Sequence, residues 1–442
     1  MLKQRRIWLA LLLVLAVFAA SCGDDETSNE PEPADDAESD EQPTADEDPE
    51  PAEEPEDEPE EEPEEEPEVT ETLTIWADEK RAEPLQAVAL GFTEATGVEV
   101  DVELVVFDEL RDRVNQAAPA GEGPDIFVGA HDWTGELAAN GVIASIDVSA
   151  QESSFASSAL AAFNFAGDNY AVPYVTEAVA MYYNAGLVSE VPATFDDLLA
   201  TCDSIGSANC LVLPGGGGAT DAYHNYPFVS ALGGNIFAFD PSTGFDASQV
   251  GLDSEATIAG VDFLATQVAA GTVPSTDYDT AKTLFLTGEA PFWITGPWEL
   301  GGLRDQTDID FGVALIPQIG DNPVQPFIGS QGFFLSAFSE NSLIATSFLL
   351  DFVATDDTMQ ALFDADPRGT AWTPVQEALT SDPEIQTFAA SAANGIPMPN
   401  IPQMGSVWGP LGDNLLLVRD GEATAADAMT AAAEAVRAAI AG

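Results

Sequence analysis

The sequence predicts an α/β fold, and three observations support this class. Strand-like and helix-like patterns alternate along the chain after about residue 72. The chain has 442 residues, which is more than one hydrophobic core usually serves, so two domains are expected. Apolar residues make up 45% of the chain, which is enough to build such cores.

The first five predicted elements alternate between strand and helix. They are a strand at Thr72–Ala77, a helix from Pro84 to Thr96 that ends at Gly97, a strand at Val98–Val106, a helix at Phe107–Ala118 and a strand at Asp125–Ala130. This order indicates a parallel sheet covered by helices on both faces. Because ligands of such sheets bind beyond the carboxyl ends of the strands, the residues after Ala77 and Ala130 are the first candidates for a site.

The charge excludes one class of partner. The chain has 77 acidic and 12 basic residues, a formal net charge of −65. Proteins that bind nucleic-acid phosphates need a basic surface, so we expect no nucleic-acid partner.

The N-terminal segment, residues 1–22, has the pattern of an export signal. Three basic residues precede an apolar run from Ile7 to Ala20, which is shorter than a membrane-spanning helix needs. Ala19, Ala20 and Ser21 before Cys22 resemble a bacterial lipobox, in which Cys22 is lipidated and anchors the protein to the cell membrane. The alternative is an ordinary secretory signal. Both interpretations predict a protein outside the cytoplasm.

Residues 23–71 are predicted to be an acidic, proline-rich disordered tether. Residues 23–70 contain 26 acidic residues, nine prolines and no lysine or arginine. Proline removes amide donors and like charges repel, so an extended spacer is expected. A role in calcium buffering or partner recruitment is the alternative.

Without Cys22, the cysteines are the pair Cys202 and Cys210, which in an oxidising compartment is expected to form a structural disulfide. No motif indicates a cofactor, a metal site or a catalytic residue. The two histidines, His131 and His224, lack metal-ligand spacing and are predicted to be hydrogen-bonded structural residues.

Charged groups follow both candidate strand ends, and aromatic residues lie on predicted loops. The segment Asp78–Arg81 follows the first strand, and His131, Asp132 and Trp133 follow the third. The loop aromatics are Tyr223, Trp298 and Trp408, whereas Trp76, Phe292 and Trp293 lie in strand patterns and are predicted to be core. Aromatic faces with carboxylates around them suit the apolar faces and hydroxyls of sugars.

From Thr72 onward the chain resembles the maltose- and maltodextrin-binding proteins among the family 1 extracellular solute-binding proteins of ABC importers. The matching segments are Ile75–Trp76, Gly123–Ile126, Ala130–Asp132, Ala171–Pro173, Glu177–Ala178, Tyr183–Asn184, Phe285–Gly288, Ile294–Trp298 and Pro399–Met404, with Trp408.

The resemblance implies a periplasmic-binding-protein type II fold, with two lobes, a hinge and a ligand cleft between the lobes. Lobe one would comprise residues 72–177 and 330–380, and lobe two residues 178–329 and 381–442. The implied ligand-binding residues are Glu79, Lys80, Asp132, Glu177, Asp221, Tyr223, Trp298 and Trp408. The implied function is binding of an α-glucoside oligosaccharide by a monomer, with hinge closure and delivery to a membrane permease, and without catalysis.

The chain also departs from the family. Gly129 stands where the family has a lobe-one tryptophan, Trp133 replaces an arginine, and Gly412 replaces another arginine. Trp133 beside Gly129 suggests a reshaped sugar platform and is therefore included among the ligand-binding residues. The exact glycan stays open, as does whether Arg81 or Arg368 lines the cleft. The alternatives are a secreted glycoside hydrolase that uses paired carboxylates, and a binding protein for another solute.

Overall fold

A computed structural model of the chain describes residues 72–321 and 323–441. The predicted export signal with Cys22 and the predicted tether lie outside these residues. Within them, helices and strands alternate, as the α/β class predicts. No helix in this part of the chain has both the length and the apolar character needed to cross a bilayer.

The strands of the described residues are short, and most lie in two separate sheets. They are β1 (Thr72–Ala77), β2 (Glu99–Leu104), β3 (Ile126–Ala130), β4 (Ile143–Ala144), β5 (Asn164–Phe165), β6 (Asp168–Asn169), β7 (Ala171–Glu177), β8 (Ala180–Asn184), β9 (Leu211–Val212), β10 (Phe237–Asp240), β11 (Gly244–Val250), β12 (Phe292–Thr295), β13 (Phe311–Ala314), β14 (Phe327–Ser336) and β15 (Ile396–Pro397).

The helices cover both sheets and fill the C-terminal part of the chain. They are α1 (Ala82–Thr96), α2 (Phe107–Ala117), α3 (Thr134–Ala139), α4 (Ser157–Ala162), α5 (Phe195–Ile205), α6 (Ala222–Ser230), α7 (Glu255–Ala269), α8 (Tyr278–Leu286), α9 (Leu300–Arg304), α10 (Ser342–Ser347), α11 (Asp356–Ala365), α12 (Thr373–Ala378), α13 (Pro383–Asn394), α14 (Trp408–Arg419) and α15 (Ala425–Ala441). Helix α10 continues as a π-helix over Phe348–Val353.

The first sheet is mixed, which corrects the expectation of a parallel sheet. Strands β1, β2 and β3 are parallel, as the β-α-β-α-β order predicts. Strand β14, however, runs antiparallel to both β3 and β7. It enters the sheet from a distant part of the chain, so no crossover helix imposes a parallel direction on it.

The second sheet has the strand order β13-β8-β12-β9. Strand β12 pairs antiparallel with β8 and parallel with β9. The chain passes from the first sheet to the second between Glu177 and Ala180, where β7 leads directly into β8. It returns between Ala314 and Phe327, so β7 and β14 are neighbouring strands that connect the sheets.

Element boundaries agree with the predicted ones within two residues. Helix α1 begins at Ala82, two residues before the predicted Pro84. It ends at Gly97, whose φ of 80° is a left-handed conformation that glycine adopts without strain. The second strand is shorter at both ends than predicted and covers Glu99–Leu104.

The predicted core aromatics are buried. Trp76 is 3% exposed, and Phe292 and Trp293 are fully buried. In the second sheet region, a disulfide joins Cys202 of α5 to Cys210, with the two Cα atoms 5.4 Å apart. Both cysteines lie in an apolar cluster with Leu198 and Leu211.

Candidate functional site

The residues after β1 form two ion pairs and one hydrogen bond to the N-terminal end of helix α2. Asp78 and Arg81 are both buried and pair with each other. The exposed Glu79 accepts a hydrogen bond from the amide of Phe107 at 3.2 Å, at the start of α2. The Nζ atom of Lys80 lies 3.4 Å from Oε1 of Glu299, which follows a strand of the second sheet. The loop after β1 therefore reaches the second sheet region.

His131, directly after β3, is a structural residue. Its Nδ1 accepts a hydrogen bond from the amide of Ser330 at 3.0 Å, and its Nε2 lies 3.0 Å from the carbonyl oxygen of Met398. Burial lowers the pKa of His131 to about 4, so the ring is neutral at pH 7. This histidine fixes the backbone that presents Asp132.

Asp132 is buried and contacts an aromatic residue from the far end of the chain. Its Oδ2 accepts a hydrogen bond from the indole Nε1 of Trp408 at 2.8 Å. Burial raises the pKa of Asp132 to about 6, although the bond from Trp408 favours the charged form. An ionised carboxylate in this position has acceptor capacity beyond the single indole bond, which sugar hydroxyls can use.

Trp133 lies in the apolar cluster on one face of the first sheet. Its side chain is 6% exposed, and its ring centroid is 5.3 Å from that of Phe107. The ring occupies the space beside Gly129, where a Cβ atom would lie 2.5 Å from the indole. Trp133 thus fills the volume that Gly129 leaves free and packs against β3. Because little of its ring is exposed, it is a core residue and does not offer a sugar platform, which corrects the prediction from the sequence.

Glu177, at the end of β7, lies in a buried polar cluster. Its carboxylate is 3.4 Å from Nη1 of Arg368 and accepts a hydrogen bond from Nε2 of Gln331 at 3.3 Å. Arg368 also pairs with Asp366 at 2.6 Å. Burial lowers the pKa of Arg368, but the charges of Asp366 and Glu177 outweigh this effect and leave it raised. Arg368 therefore fixes the position of Glu177.

Asp221 begins helix α6, which also carries Tyr223. The Asp221 carboxylate accepts hydrogen bonds from the amide of His224 at 2.9 Å and is 2.7 Å from its Nδ1. Burial alone would raise the pKa of Asp221. The charge of His224 and its hydrogen bonds to the carboxylate have a larger, opposite effect, so the pKa of Asp221 is below its usual value. This cap fixes the first turn of the helix and hence the Tyr223 ring.

Four aromatic rings form a continuous row. The ring centroids of Trp298 and Tyr223 are 6.1 Å apart, those of Tyr223 and Phe327 are 6.1 Å apart, and those of Phe327 and Trp408 are also 6.1 Å apart. Phe327 is 1% exposed, whereas the other three rings are partly exposed. Sequence reasoning missed Phe327 because it begins a strand and has the pattern of a core residue.

The Trp298 indole is held by a hydrogen-bonded network. Its Nε1 donates to the hydroxyl of Tyr278 at 2.7 Å, and that hydroxyl donates to Oε1 of Glu299 at 2.8 Å. Glu299 is 3% exposed and also pairs with Lys282 at 2.7 Å. The ring lies so close to Gly296 that any side chain there would overlap it. The network fixes the orientation of the Trp298 ring.

Carboxylates from both sheet regions surround Tyr223. Burial raises the pKa of its phenol, and the charges of Glu177, Asp132 and Asp221 raise it further. The Tyr223 hydroxyl is buried and has no hydrogen-bond partner among the described residues. The same holds for Oε1 of Gln331, which adjoins Glu177. Both atoms are enclosed by protein in this arrangement, so a ligand hydroxyl reaches them only when the surrounding residues move apart.

The structure brings most of the predicted residues together. The residues that lie close together are Asp132, Glu177, Asp221, Tyr223, Trp298 and Trp408. Lys80 contacts this group through Glu299, and Glu79 bonds the start of α2 instead. Trp133 was predicted to bind ligand, but it lies in the core. The residues that sequence reasoning missed are Phe327, Tyr278, Glu299 and Gln331. Of these, Glu299 had a signal, because it directly follows Trp298.

The arrangement is suited to binding a neutral ligand with apolar faces and hydroxyl edges. Aromatic rings provide the faces, and carboxylates provide hydrogen-bond acceptors. In the part of the chain that the structure describes, no cluster of histidine, cysteine and carboxylate side chains has the arrangement of a metal site. The fold and the site thus define a protein that binds a solute.

The chain belongs to the bacterial extracellular solute-binding protein family, whose model matches residues 87–390. It is therefore a binding protein that functions outside the cytoplasm and not an enzyme, which excludes the glycoside hydrolase alternative.

Three relatives are similar over most of the chain. A maltotriose-binding protein of Pyrococcus abyssi is 34% identical over 325 residues, which cover 70% of this chain and 69% of the relative. A maltooligosaccharide ABC transporter solute-binding lipoprotein of Streptococcus pneumoniae is 26% identical over 380 residues, covering 82% and 87%. A galactooligosaccharide-binding protein of Bacillus subtilis is 24% identical over 382 residues, covering 82% and 88%.

Proposed function

We propose that the chain binds maltose- or maltodextrin-like α-glucosides in a cleft between two lobes and delivers them to the permease of an ABC importer. Lobe one comprises residues 72–177 and 330–380, around the first sheet. Lobe two comprises residues 178–329 and 381–442, around the second sheet. The names of two relatives, which refer to maltotriose and to maltooligosaccharides, support the α-glucoside class.

The observation that carries the proposal is the row of rings opposite buried carboxylates. Tyr223, Trp298 and Trp408 come from lobe two, whereas Asp132 and Glu177 come from lobe one and its border. Pyranose rings stack on the aromatic faces, and their hydroxyls donate to the carboxylates. The unpartnered hydroxyl of Tyr223 and amide oxygen of Gln331 become further partners for these hydroxyls once separation of the lobes exposes them.

Closure of the two lobes is the proposed response to the ligand. The contacts that already join them include the hydrogen bond from Trp408 to Asp132, the ion pair between Lys80 and Glu299, and the contact of His131 with Met398. A sugar that contacts both lobes binds the closed arrangement more tightly than an open one, and so shifts the population toward it. The chain connections through β7 and β14 would act as the hinge.

Attachment to the membrane completes the proposed mechanism. A lipidated Cys22 anchors the protein, and the acidic segment 23–71 lets the monomeric binding domain reach the permease. The closed, sugar-loaded form is the one that docks. This mechanism requires the tether only as a spacer and not as a calcium buffer.

Titration calorimetry with maltotriose tests the proposal. We expect saturable binding by the wild-type protein, recovery of the sugar intact, and loss of binding in Trp408→Ala. Phe338→Ala is the matched control, because its ring is 45% exposed and lies outside the row of rings. Binding of a galactose oligosaccharide but not of maltotriose would assign the site to the class named for the Bacillus subtilis relative. Absence of heat with either sugar would refute carbohydrate binding.

A further inference from the structure

His224 lies against two of the aromatic residues of the candidate site. It follows Tyr223 on α6 and is 5% exposed. Its ring centroid is 5.9 Å from that of Tyr223 and 5.5 Å from that of Trp298, with angles between the ring planes of 79° and 89°. Edge-to-face contacts of this kind favour one relative orientation of the rings. The imidazole therefore contacts both a ring of α6 and the ring that follows β12.

Both nitrogens of the His224 ring have partners within the protein. Nδ1 lies 2.7 Å from Oδ2 of Asp221, and Nε2 lies 3.3 Å from Oγ1 of Thr295. A carboxylate only accepts hydrogen bonds, so Nδ1 donates to Asp221. The ring thus joins the start of α6 to the end of β12, and neither nitrogen is free to bond a ligand hydroxyl.

A second route leads from His224 to Trp298 through two hydroxyl groups. Thr295 is fully buried, and its hydroxyl oxygen lies 3.4 Å from that of Tyr278. The Tyr278 hydroxyl accepts the hydrogen bond from the indole Nε1 of Trp298 at 2.7 Å. Buried polar groups that bond one another in a chain fix each other's positions. His224 therefore acts on the Trp298 ring both directly and through Thr295 and Tyr278.

We propose that His224 is a positioning residue for carbohydrate binding. It holds the rings of Tyr223 and Trp298, whose centroids are 6.1 Å apart, in the arrangement in which one sugar chain stacks on both. This inference rests on the proposed function, in which both rings contact the sugar. Rings that are already fixed lose little freedom when the ligand binds, so the affinity is higher than for mobile rings.

A purely structural role of His224 makes a different prediction. The cap at the start of α6 uses the backbone amide of His224, which donates to Asp221 at 2.9 Å and does not depend on the imidazole. If the imidazole only fills space in the core, loss of its bonds lowers the free energy of unfolding without a specific effect on sugar binding. Affinity and stability must therefore be measured on the same variants.

The test breaks the link without replacing either stacking residue. Thr295→Val removes the hydroxyl that His224 bonds and keeps the branched side chain, whereas Thr295→Ser keeps the hydroxyl. His224→Asn retains a donor for Asp221 but loses the ring and Nε2. Thr257→Val is the matched control, because it also removes a buried hydroxyl, one that donates to a backbone carbonyl at 2.9 Å from α7, outside the row of rings.

Three quantities are measured on each variant. Calorimetry gives the affinity for maltotriose, and urea unfolding gives the stability. NMR of the sugar-free, ¹⁵N-labelled protein gives the indole N–H signals of Trp298 and Trp408, each assigned by its loss in the corresponding Trp→Phe variant. The Trp408 signal is the internal control, because its partner Asp132 is unchanged.

We expect Thr295→Val and His224→Asn to bind maltotriose at least about tenfold more weakly than the wild-type protein, and Thr295→Ser and Thr257→Val to bind it with wild-type affinity. In Thr295→Val the Trp298 signal is expected to shift while the Trp408 signal stays in place. Wild-type affinity in Thr295→Val or in His224→Asn, or an equal loss in Thr257→Val, would overturn the proposal.

Failure of the proposed function is distinguishable from failure of this inference. If the wild-type protein binds no sugar, the proposed function is wrong, and the NMR signals of the sugar-free variants decide whether the link exists. A shifted Trp298 signal in Thr295→Val would support the link, and an unchanged one would refute it.

Discussion

Asp132→Asn separates the role of Asp132 in binding from its effect on stability. The Asp132 carboxylate is 4% exposed and accepts a hydrogen bond from Trp408. An asparagine keeps the shape and one acceptor oxygen, so the Trp408 bond can persist, but the charge is lost. We expect the affinity for maltotriose to fall by roughly 1–3 kcal/mol, as for the loss of a charged hydrogen bond.

The effect on stability has a defined sign and pH range. Asp132 has an ordinary pKa of 3.8, and burial raises the pKa in the folded protein to about 6. Between these values the folded protein retains a proton that the unfolded chain has lost. The stabilisation from this proton is complete below about pH 3.8 and is lost as the pH rises through about 6. The pKa difference of about 2 corresponds to ~3 kcal/mol.

Urea unfolding without sugar, at several pH values from 4 to 7, measures this contribution. The wild-type free energy of unfolding, relative to that of Asp132→Asn, is expected to fall by about 2.4 kcal/mol across this range, because the proton is already partly lost from the unfolded chain at pH 4. Asp101→Asn is the control, because its carboxylate is exposed on β2 and should leave the profile unchanged. If the wild-type protein and Asp132→Asn show the same pH profile, Asp132 is not buried in solution as described.

Three further outcomes follow from the contacts of the site. Trp298→Ala is expected to abolish maltotriose binding in calorimetry with little change in the urea midpoint; unaltered affinity would mean that the ring does not contact sugar. Glu299→Gln removes the charge opposite Lys80 and is expected to weaken maltotriose binding and reduce its dependence on salt, and an unchanged salt dependence would contradict this role. Replacing Cys202 and Cys210 by alanine should lower the free energy of unfolding by roughly 2–3 kcal/mol in urea, whereas equal stability would show that the disulfide adds nothing.

Local patterns predict the elements of this fold better than their pairing. Strand β1 and helix α1 follow from apolar spacing and from the glycine stop at Gly97, which are local signals. The antiparallel insertion of β14 beside β3 has no such signal, because the partners Gln331 and Ala130 are about 200 residues apart. Pairing of this kind depends on the packing of the whole chain.

In the candidate site, too, local sequence patterns predict individual residues better than the contacts between distant residues. Tyr223, Trp298 and Trp408 were predicted as site residues because aromatic residues on loops need a reason to be there. The loop prediction was wrong for Tyr223, which lies in helix α6, and for Trp408, which begins α14. The bond between Trp408 and Asp132 joins residues 276 positions apart, so no local pattern indicates it. The burial of Trp133 depends on the space left by Gly129, which is apparent only once the strand is packed.

The most direct measurement is a crystal structure of the protein with maltotriose. We expect glucose rings on the faces of Trp298 and Trp408, with hydroxyls within hydrogen-bond distance of Asp132 and Glu177. A sugar bound elsewhere, with these four side chains making no contact to it, would contradict the proposed cleft.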